Sequence, residues 1–341
     1  MDDQTAQSQQ TAQAQIKWYR SPVPPEVLRS LSRPDNTRGA LQAGGHLGLA
    51  CLTGAMAYWC SLHFAWYVLL LALFIHGTVM TMMFAAVHEL SHERVFSNSK
   101  ANRAMLGLFS FLTWYDYPLY QLSHRAHHRF TLHPPADEEV LLPQKITLAN
   151  FLANTLVDPR EFFHKLRYFS RMALGKPTGS WEKRVFESAG AKAQRSVINW
   201  ARLLLLGHGL IVLVSLYFGE WMIPVLVSLA TFYGRGWLMT LVGMPQHMGL
   251  RDNVDDFRLC CRTITLNPLL TFLYWRMNYH TEHHMYPAVP CYNLPKLHAL
   301  IKHDLPHTHH GLLATWLEIA YTMSRQQYEP AFQFEPTLPR K

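Results

Sequence analysis

The segment Asn278–Pro287, with the sequence NYHTEHHMYP, contains three histidines within five positions. These residues, His280, His283 and His284, are spaced i, i+3 and i+4, so they share one face if the segment is helical. Imidazoles clustered this tightly would repel one another if they were protonated. We therefore interpret them as neutral ligands of a metal ion.

Two earlier segments carry clusters of the same kind. Residues 124–128, HRAHH, repeat this spacing, and residues 88–92, HELSH, place two histidines at i and i+4. One such cluster could arise by chance in a chain with 20 histidines, but three clusters together indicate a histidine-rich site. The clustered residues are His88, His92, His124, His127, His128, His280, His283 and His284.

Eight histidines on three segments exceed the needs of a single metal ion. A structural zinc takes four ligands and a catalytic zinc takes three plus water, so the clusters fit two ions. Nitrogen-only ligation suits Fe, Zn, Cu or Ni and disfavours Mg or Ca. Each ligating imidazole also needs a hydrogen-bond partner for its other ring nitrogen. Candidate acceptors are Glu89, Asp116, Asp137, Glu138 and Glu282.

The distribution of apolar residues predicts a membrane protein. Residues 65–87 form 23 positions without Lys, Arg, Asp or Glu, which is enough for one membrane span. Residues 43–64 are similarly uncharged, and residues 203–218 and 221–244 are predicted to form a second hairpin. The fold class is therefore predicted to be an all-α integral membrane protein with four transmembrane helices in two hairpins.

The loop charges predict the orientation of these spans. Both turns between paired spans lack Lys and Arg, whereas the tail and residues 88–200 are rich in them. The positive-inside rule then places both termini and every histidine cluster on the cytoplasmic side. We expect a multi-pass protein of a bacterial inner membrane. The net charge of +8 is assigned to these loops and not to a nucleic-acid partner.

The remaining chain is predicted to form one domain with two tails. Residues 1–16 are polar and predicted to be disordered, and residues 326–341 are predicted to be loosely ordered. Residues 17–325 form a single membrane-embedded domain in which a helical cytoplasmic cap carries the histidines. The five cysteines include no CxxC pair, which disfavours a disulfide framework or a cysteine-based zinc site.

Other polar residues lie outside the clusters. His76 lies within a predicted span and is interpreted as an interior histidine with satisfied hydrogen bonds. Arg235 interrupts the last span, either as a functional charge or as a side chain that reaches the interface. The histidines predicted not to be ligands are His133, His164, His298, His303, His307, His309 and His310.

The motifs HxxxH, HxxHH and HxxHH, in this order beside two membrane hairpins, resemble the histidine boxes of the membrane fatty acid desaturase superfamily. Residues 278–298, NYHTEHHMYPAVPCYNLPKLH, are similar to the family's pattern around its last box. The resemblance spans about residues 65–310 and implies a non-haem di-iron centre that activates O2 with two external electrons.

The resemblance also implies roles for individual residues. The eight clustered histidines would ligate two Fe2+ ions, and His247 matches by position a further ligand that members often carry after the last span. Asn278 matches an asparagine before the third box, where it would orient a ligand or a metal-bound water. Since no HPGG-type haem motif occurs, the electrons are expected from a separate ferredoxin- or cytochrome b5-type donor with its reductase.

The implied activity is the introduction of a double bond into the acyl chain of a fatty acyl or lipid substrate. A hydroxylase, or an enzyme acting on a carotenoid or a small polar metabolite, stays open within the superfamily. Two hypotheses lie outside it. The HELSH segment satisfies the HExxH signature of a metalloprotease, which leaves two histidine boxes unexplained. A metal transporter would favour polar residues near the bilayer midplane, whereas these histidines lie at span ends.

Overall fold

The structure is a computed structural model that describes residues 16–137, 139, 140, 142, 147, 149, 151, 152, 159–234 and 236–339. Three sequence predictions lie outside these residues: the tail up to Gln15, the acceptor Glu138 and the intramembrane charge Arg235.

The fold is mostly helical, as predicted. The first part contains α1 (Pro25–Leu31), α2 (Asn36–His63), α3 (Trp66–Met82), α4 (Phe84–Ser91), α5 (Ser99–Leu112) and α6 (Tyr117–Phe130). The middle part contains α7 (Pro159–Met172), α8 (Ser180–Ser188), α9 (Ala191–Tyr217), α10 (Met222–Pro224) and α11 (Trp237–Gly243). The last part contains α12 (Phe257–Cys260), β1 (Ile264–Thr265), α13 (Pro268–Leu273), α14 (His280–Met285), α15 (Leu294–Ile301), β2 (His309–His310) and α16 (Leu312–Gln326).

Among the described residues, three helical runs are long and apolar enough to cross a membrane: Trp66–Ser91, Ala191–Tyr217 and Met222–Gln246. They overlap the predicted spans at 65–87, 203–218 and 221–244, although the second run begins at Ala191, well before residue 203. Helix α2 covers all but the last residue of the predicted span 43–64 and has 28 residues, but it is not among the three.

The run Met222–Gln246 is not the regular helix that the sequence predicts. It passes through a π-helical turn, Val225–Leu229, and a 3-10 turn, Ala230–Phe232. Close backbone packing against α3 accompanies this irregularity. A Cβ atom on Gly77 of α3 would lie 2.4 Å from the carbonyl oxygen of Ala230. Only glycine fits there, and small residues allow two such backbones to approach closely.

Polar contacts tie α2 and α3 to the irregular run. His76 of α3 lies 2.9 Å from Thr53 Oγ1 through Nδ1 and 3.0 Å from the Leu226 carbonyl oxygen through Nε2. It is therefore an interior histidine with two partners, as the sequence predicts. Its contacts join α2, α3 and the π-helical turn.

The apolar and aromatic stretch over residues 105–120 is divided between two helices, α5 and α6. The chain breaks between α5 and α6 because Trp114 adopts a left-handed conformation with φ of 51°. Its indole N–H donates to the Ser228 carbonyl oxygen at 2.8 Å. Asp116 then caps α6 by accepting a hydrogen bond from the Leu119 N–H at 3.2 Å. The break gives α6 its own direction toward the other histidine segments.

The third histidine segment is held by a strained turn and a short strand. Trp275 and Arg276 both have positive φ, at 50° and 59°, which is costly for residues with bulky side chains. The Trp275 indole N–H donates to His46 Nδ1 of α2 at 3.0 Å, which anchors the turn. The Ile264 N–H of β1 donates to the Asn278 carbonyl oxygen at 2.9 Å. Helix α2 therefore supports the segment that begins α14.

A two-residue parallel ladder joins β1 to β2, pairing Ile264 with His309 and Thr265 with His310. Beyond α16, the Phe334 N–H donates to the Gly249 carbonyl oxygen at 2.7 Å. The predicted disorder of residues 1–16 and loose order of residues 326–341 stay predictions.

Candidate metal centre

The structure brings the eight clustered histidines and His247 together as two groups. His88 and His92 lie at the end of α4, and the second box lies in the last turns of α6. The third box lies on α14, and His247 follows a 3-10 turn, Met244–Gln246. The five-histidine cluster consists of His88, His92, His124, His128 and His283. The four-histidine cluster consists of His127, His247, His280 and His284.

Helix geometry explains how the second and third boxes each serve both clusters. Residues i and i+4 differ by about 40° around a helix, whereas i+3 lies about 60° to the other side of i. In the second box, His124 and His128 therefore belong to the five-histidine cluster, and His127 belongs to the four-histidine cluster. In the third box, His280 and His284 belong to the four-histidine cluster, and His283 belongs to the five-histidine cluster. Each helix lies between the clusters.

The ring nitrogens converge at distances suited to shared ions. In the five-histidine cluster, His124 Nε2 lies 3.0 Å from His92 Nε2 and 3.1 Å from His128 Nε2. In the other cluster, His280 Nε2 lies 2.9 Å from His247 Nε2 and 3.0 Å from His284 Nε2. Two nitrogens bound at right angles to one ion at about 2.1 Å would lie about 3.0 Å apart. Each cluster is thus able to bind a metal ion.

Carboxylates outside the clusters fix two of the tautomers. His124 Nδ1 lies 2.6 Å from Glu139 Oε2, and His127 Nδ1 lies 2.9 Å from Asp137 Oδ2. An ionised carboxylate only accepts hydrogen bonds, so the facing Nδ1 then carries the proton. This holds for Asp137, whose pKa is lowered, and for Glu139 at pH values above its raised pKa. The lone pair is then on Nε2, which faces the cluster.

Two further tautomers are fixed by uncharged acceptors. His247 Nδ1 donates to the Cys260 carbonyl oxygen at 2.8 Å. His284 Nδ1 lies 3.1 Å from Thr131 Oγ1, whose own hydrogen goes to the His127 carbonyl oxygen at 2.7 Å. Thr131 therefore accepts from His284, and the Nε2 lone pairs of both imidazoles remain available to a metal ion.

Burial keeps most of these imidazoles neutral. It lowers the pKa of His92 to about 4 and that of His247 to about 3, and the charge of His127 lowers both further. The same causes, burial first and then neighbouring imidazoles, lower the pKa well below its ordinary value for His124, His128, His280, His283 and His284. Neutral imidazole is the form that binds a metal ion.

His127 is the exception within this group. Burial alone would lower its pKa, but the carboxylates of Asp137 and Glu139 outweigh that effect and raise it. Burial likewise opposes ionisation of Asp137, yet His127 and backbone N–H donors hold the pKa of that carboxyl below its usual range. A metal ion would replace the Nε2 proton of His127 and leave the Nδ1–H bond to Asp137 intact.

Comparison with known proteins assigns the chain that forms these clusters to a family. The family model described as fatty acid desaturase matches residues 64–316. The chain belongs to the fatty acid desaturase family. The predicted family and its class of oxidoreductase are thereby confirmed, and all nine histidines of the two clusters lie within the matched region.

Two curated relatives of this desaturase-family chain carry the same name, sphingolipid delta(4)-desaturase DES1-like. The protein of Arabidopsis thaliana is 29% identical over 263 residues, which cover 74% of this chain and 69% of that protein. The protein of Oryza sativa subsp. japonica is 25% identical over 289 residues, which cover 81% of this chain and 77% of that protein.

Sequence reasoning missed Glu139, the residue that holds His124. The predicted acceptors include Asp137 and Glu138 from the acidic run after the second box, but not Glu139, the third residue of that run. Glu139 also accepts a hydrogen bond from the Tyr120 hydroxyl at 3.3 Å. Burial raises the pKa of its carboxyl to about 7, and the charge of His127 opposes that shift.

The two glutamates within the histidine boxes, Glu89 and Glu282, lie in different surroundings. Glu89 Oε1 lies 3.4 Å from His283 Nδ1 and 3.7 Å from His88 Nδ1, so it faces the outer side of the five-histidine cluster. Glu282 instead accepts from Thr263 Oγ1 at 2.5 Å and bonds to His298. Glu282 therefore stabilises the position of α14 through residues that lie outside the clusters.

Three further residues do not join the clusters. Asp116 caps α6 and accepts a hydrogen bond from the Tyr168 hydroxyl at 2.8 Å. The Asn278 side-chain amide donates to the Ile264 carbonyl oxygen at 2.7 Å, and its Oδ1 is buried without a partner among the described residues. His298 belongs to neither cluster, and its ring bonds to the Glu282 carboxylate.

A cavity of about 280 Å3 lies against both clusters. Its walls include His88, His127, His247 and His280 on one side. Apolar side chains, among them those of Phe84, Met239, Met244 and Met277, form most of the rest. Glu139, Thr240 and Gln246 are also part of the lining, and its apolar part suits a hydrocarbon chain.

Proposed function

We propose that this protein is an O2-dependent di-iron desaturase that introduces a double bond into a long saturated chain, acyl or sphingoid, of a membrane lipid. The observation that supports it is the pair of buried histidine clusters, in which Nε2 lone pairs converge on two points. Nitrogen ligation suits iron. Membership of the family favours iron over the other metals with the same preference.

The proposed reaction removes two hydrogens from adjacent carbons. One O2, two external electrons and two protons, together with the two hydrogens from the chain, give two molecules of water. Two iron ions would supply the oxidising power for breaking an unactivated C–H bond. The nine histidines would hold those ions, with Asp137 and Glu139 fixing the orientation of their ligands. The electrons would come from a separate ferredoxin- or cytochrome b5-type donor with its reductase.

The substrate is proposed to be a long saturated chain with a lipid headgroup. The apolar walls of the cavity favour a hydrocarbon chain over a small polar metabolite. The names of the two relatives make a sphingolipid-type chain the first substrate to test. A hydroxylase is the alternative activity, because the same hydrogen abstraction can end in the transfer of a hydroxyl group.

This function is tested by metal content and product analysis. Purified protein is expected to contain close to two irons per chain. Cells that make saturated sphingolipids should accumulate, on expression of the protein, a product that has lost two hydrogens from the chain. Cells expressing His284→Ala serve as control and should not form it. A product that has gained oxygen would indicate the hydroxylase, and one tightly held zinc without iron would contradict the di-iron centre.

We also propose four membrane spans, with α2 as the fourth. Helix α2 has 28 residues, which corresponds to about 42 Å and exceeds the thickness of a bilayer core. The Tyr58 hydroxyl of α2 donates to Glu220 Oε2 at 2.8 Å, so the two hairpin turns lie at the same end. Exposed aromatic residues typical of a membrane interface surround these turns: Trp59, Phe64, Trp66, Tyr67, Tyr217, Phe218 and Trp221.

This topology predicts which sites are cytoplasmic. A reporter fused after Lys341 should be active only in the cytoplasm, because the loops rich in Lys and Arg lie on that side. The same reporter inserted between Gly219 and Glu220 should be active only on the other side. Activity of the Lys341 fusion in the periplasm or lumen would rule the arrangement out.

A further inference from the structure

Tyr274 carries an unusual hydroxyl at the edge of the cavity beside the histidine clusters. Its side chain lines that cavity together with His88, His247 and His280. The residue is 1% exposed, yet its hydroxyl has no hydrogen-bond partner among the described residues. Buried hydroxyls are nearly always paired, so an unpaired one beside a candidate active site needs an explanation.

The space in front of this hydroxyl is kept open by a glycine. A Cβ atom on Gly243, which also lines the cavity, would lie 3.6 Å from the Tyr274 hydroxyl oxygen. That distance is an ordinary van der Waals contact, so alanine would fit there without displacing the backbone. Its methyl group would nevertheless take up part of the space beside the hydroxyl. The pair therefore presents a buried hydroxyl with no partner among the described residues to the cavity.

The Tyr274 hydroxyl and four of the cluster histidines line the same small cavity. The cavity volume of about 280 Å3 is smaller than the roughly 300–1,000 Å3 of a pocket for a whole ligand. It therefore holds only a short stretch of a lipid, and that stretch is in contact with both histidine clusters. An oxygen atom that reaches Tyr274 must belong to a carbon near the bond that is oxidised.

We propose that the Tyr274 hydroxyl determines substrate specificity by donating a hydrogen bond to an oxygen atom that the substrate carries close to the oxidised carbons. The preferred substrates are then long-chain lipids with a hydroxyl or carbonyl oxygen beside the saturated C–C bond. Simple hydrocarbon chains lacking such an oxygen leave the buried hydroxyl unpaired and bind less well. This inference rests on the proposed function, because it takes the cavity as the place of reaction.

Binding of two matched probes to the purified, metal-loaded protein tests the inference. One probe is a saturated N-acyl sphinganine, which carries a hydroxyl on the carbon next to its saturated chain. The other is the same molecule without that hydroxyl. We expect the wild-type protein to bind the hydroxylated probe about 10- to 100-fold more tightly. Tyr274→Phe should bind both probes equally, at the affinity of the probe that lacks the hydroxyl.

Two further variants separate this role from a structural one. Tyr58→Phe removes a hydroxyl that bonds to Glu220 far from the cavity, so the preference should be unchanged. Gly243→Ala adds a methyl group beside the Tyr274 hydroxyl and should weaken binding of the hydroxylated probe. The unfolding temperature of Tyr274→Phe should stay at or above the wild-type value, since the lost hydroxyl has no partner among the residues that the structure describes.

Three results would overturn the inference: no preference in the wild-type protein, failure to bind either probe, or a full preference in Tyr274→Phe. Turnover is measured separately on the same samples. If the preference is present but neither probe loses hydrogens when electrons and O2 are supplied, the specificity role stands and the proposed desaturase activity fails. If both probes are converted and bound equally, the activity stands and the role of Tyr274 fails.

Discussion

Replacing His247 by alanine is expected to lower the iron content from two ions per chain toward one and to reduce turnover by more than about 100-fold. His247 lies outside the three boxes, but its Nε2 is 2.9 Å from His280 Nε2 in the four-histidine cluster. Its removal would leave three imidazoles around that ion. The loss should match that of His127→Ala, because both residues belong to the same cluster.

Metal analysis and single-turnover assays on purified protein check this expectation. His303→Ala is the matched control, since that imidazole is exposed and belongs to neither cluster. A loss of only about 10- to 100-fold with both irons retained would instead indicate a residue outside the coordination sphere. Near-normal iron content and turnover would remove His247 from the set of ligands while leaving the eight box histidines unaffected.

Asp137→Asn is expected to lower the free energy of unfolding by about 3–5 kcal/mol and to weaken metal binding by about 10- to 100-fold. Asp137 Oδ2 accepts from His127 Nδ1 at 2.9 Å and from the Leu132 N–H at 2.8 Å. Its Oδ1 accepts from the N–H groups of Glu139 and Val140 at 2.9 and 3.1 Å. An amide has only one acceptor oxygen, so one pair of donors would face its NH2 group.

Denaturant unfolding in detergent and competition with a metal chelator measure these two effects. Asp255→Asn makes the same chemical change at an exposed carboxylate and should shift the free energy of unfolding by no more than about 0.5 kcal/mol. If Asp137→Asn lost less than about 1 kcal/mol and kept its metal affinity, the carboxylate would not be holding His127 in place.

Much of the candidate site could be predicted from the sequence because its signals are local. The spacing within HRAHH and NYHTEHHMYP places each trio on a narrow arc of a helix, whatever the rest of the chain does. Three long apolar helices could also be predicted from the sequence, since hydropathy is a property of consecutive residues. His247 was placed only through the family resemblance, because a single histidine carries no spacing of its own.

What the sequence alone determined is therefore the composition of the candidate site: the histidines, the apolar helices that carry them and the family to which they belong. Tertiary structure alone decided that His127 and His283 belong to a different cluster from the other histidines of their boxes, since that depends on where α6 and α14 lie between the clusters. It also decided that Glu139 bonds to His124, and that the Tyr274 hydroxyl lines a cavity with no partner in the described part of the chain. These contacts join residues from separate elements, and their distances depend on how the helices pack against one another and not on any local pattern.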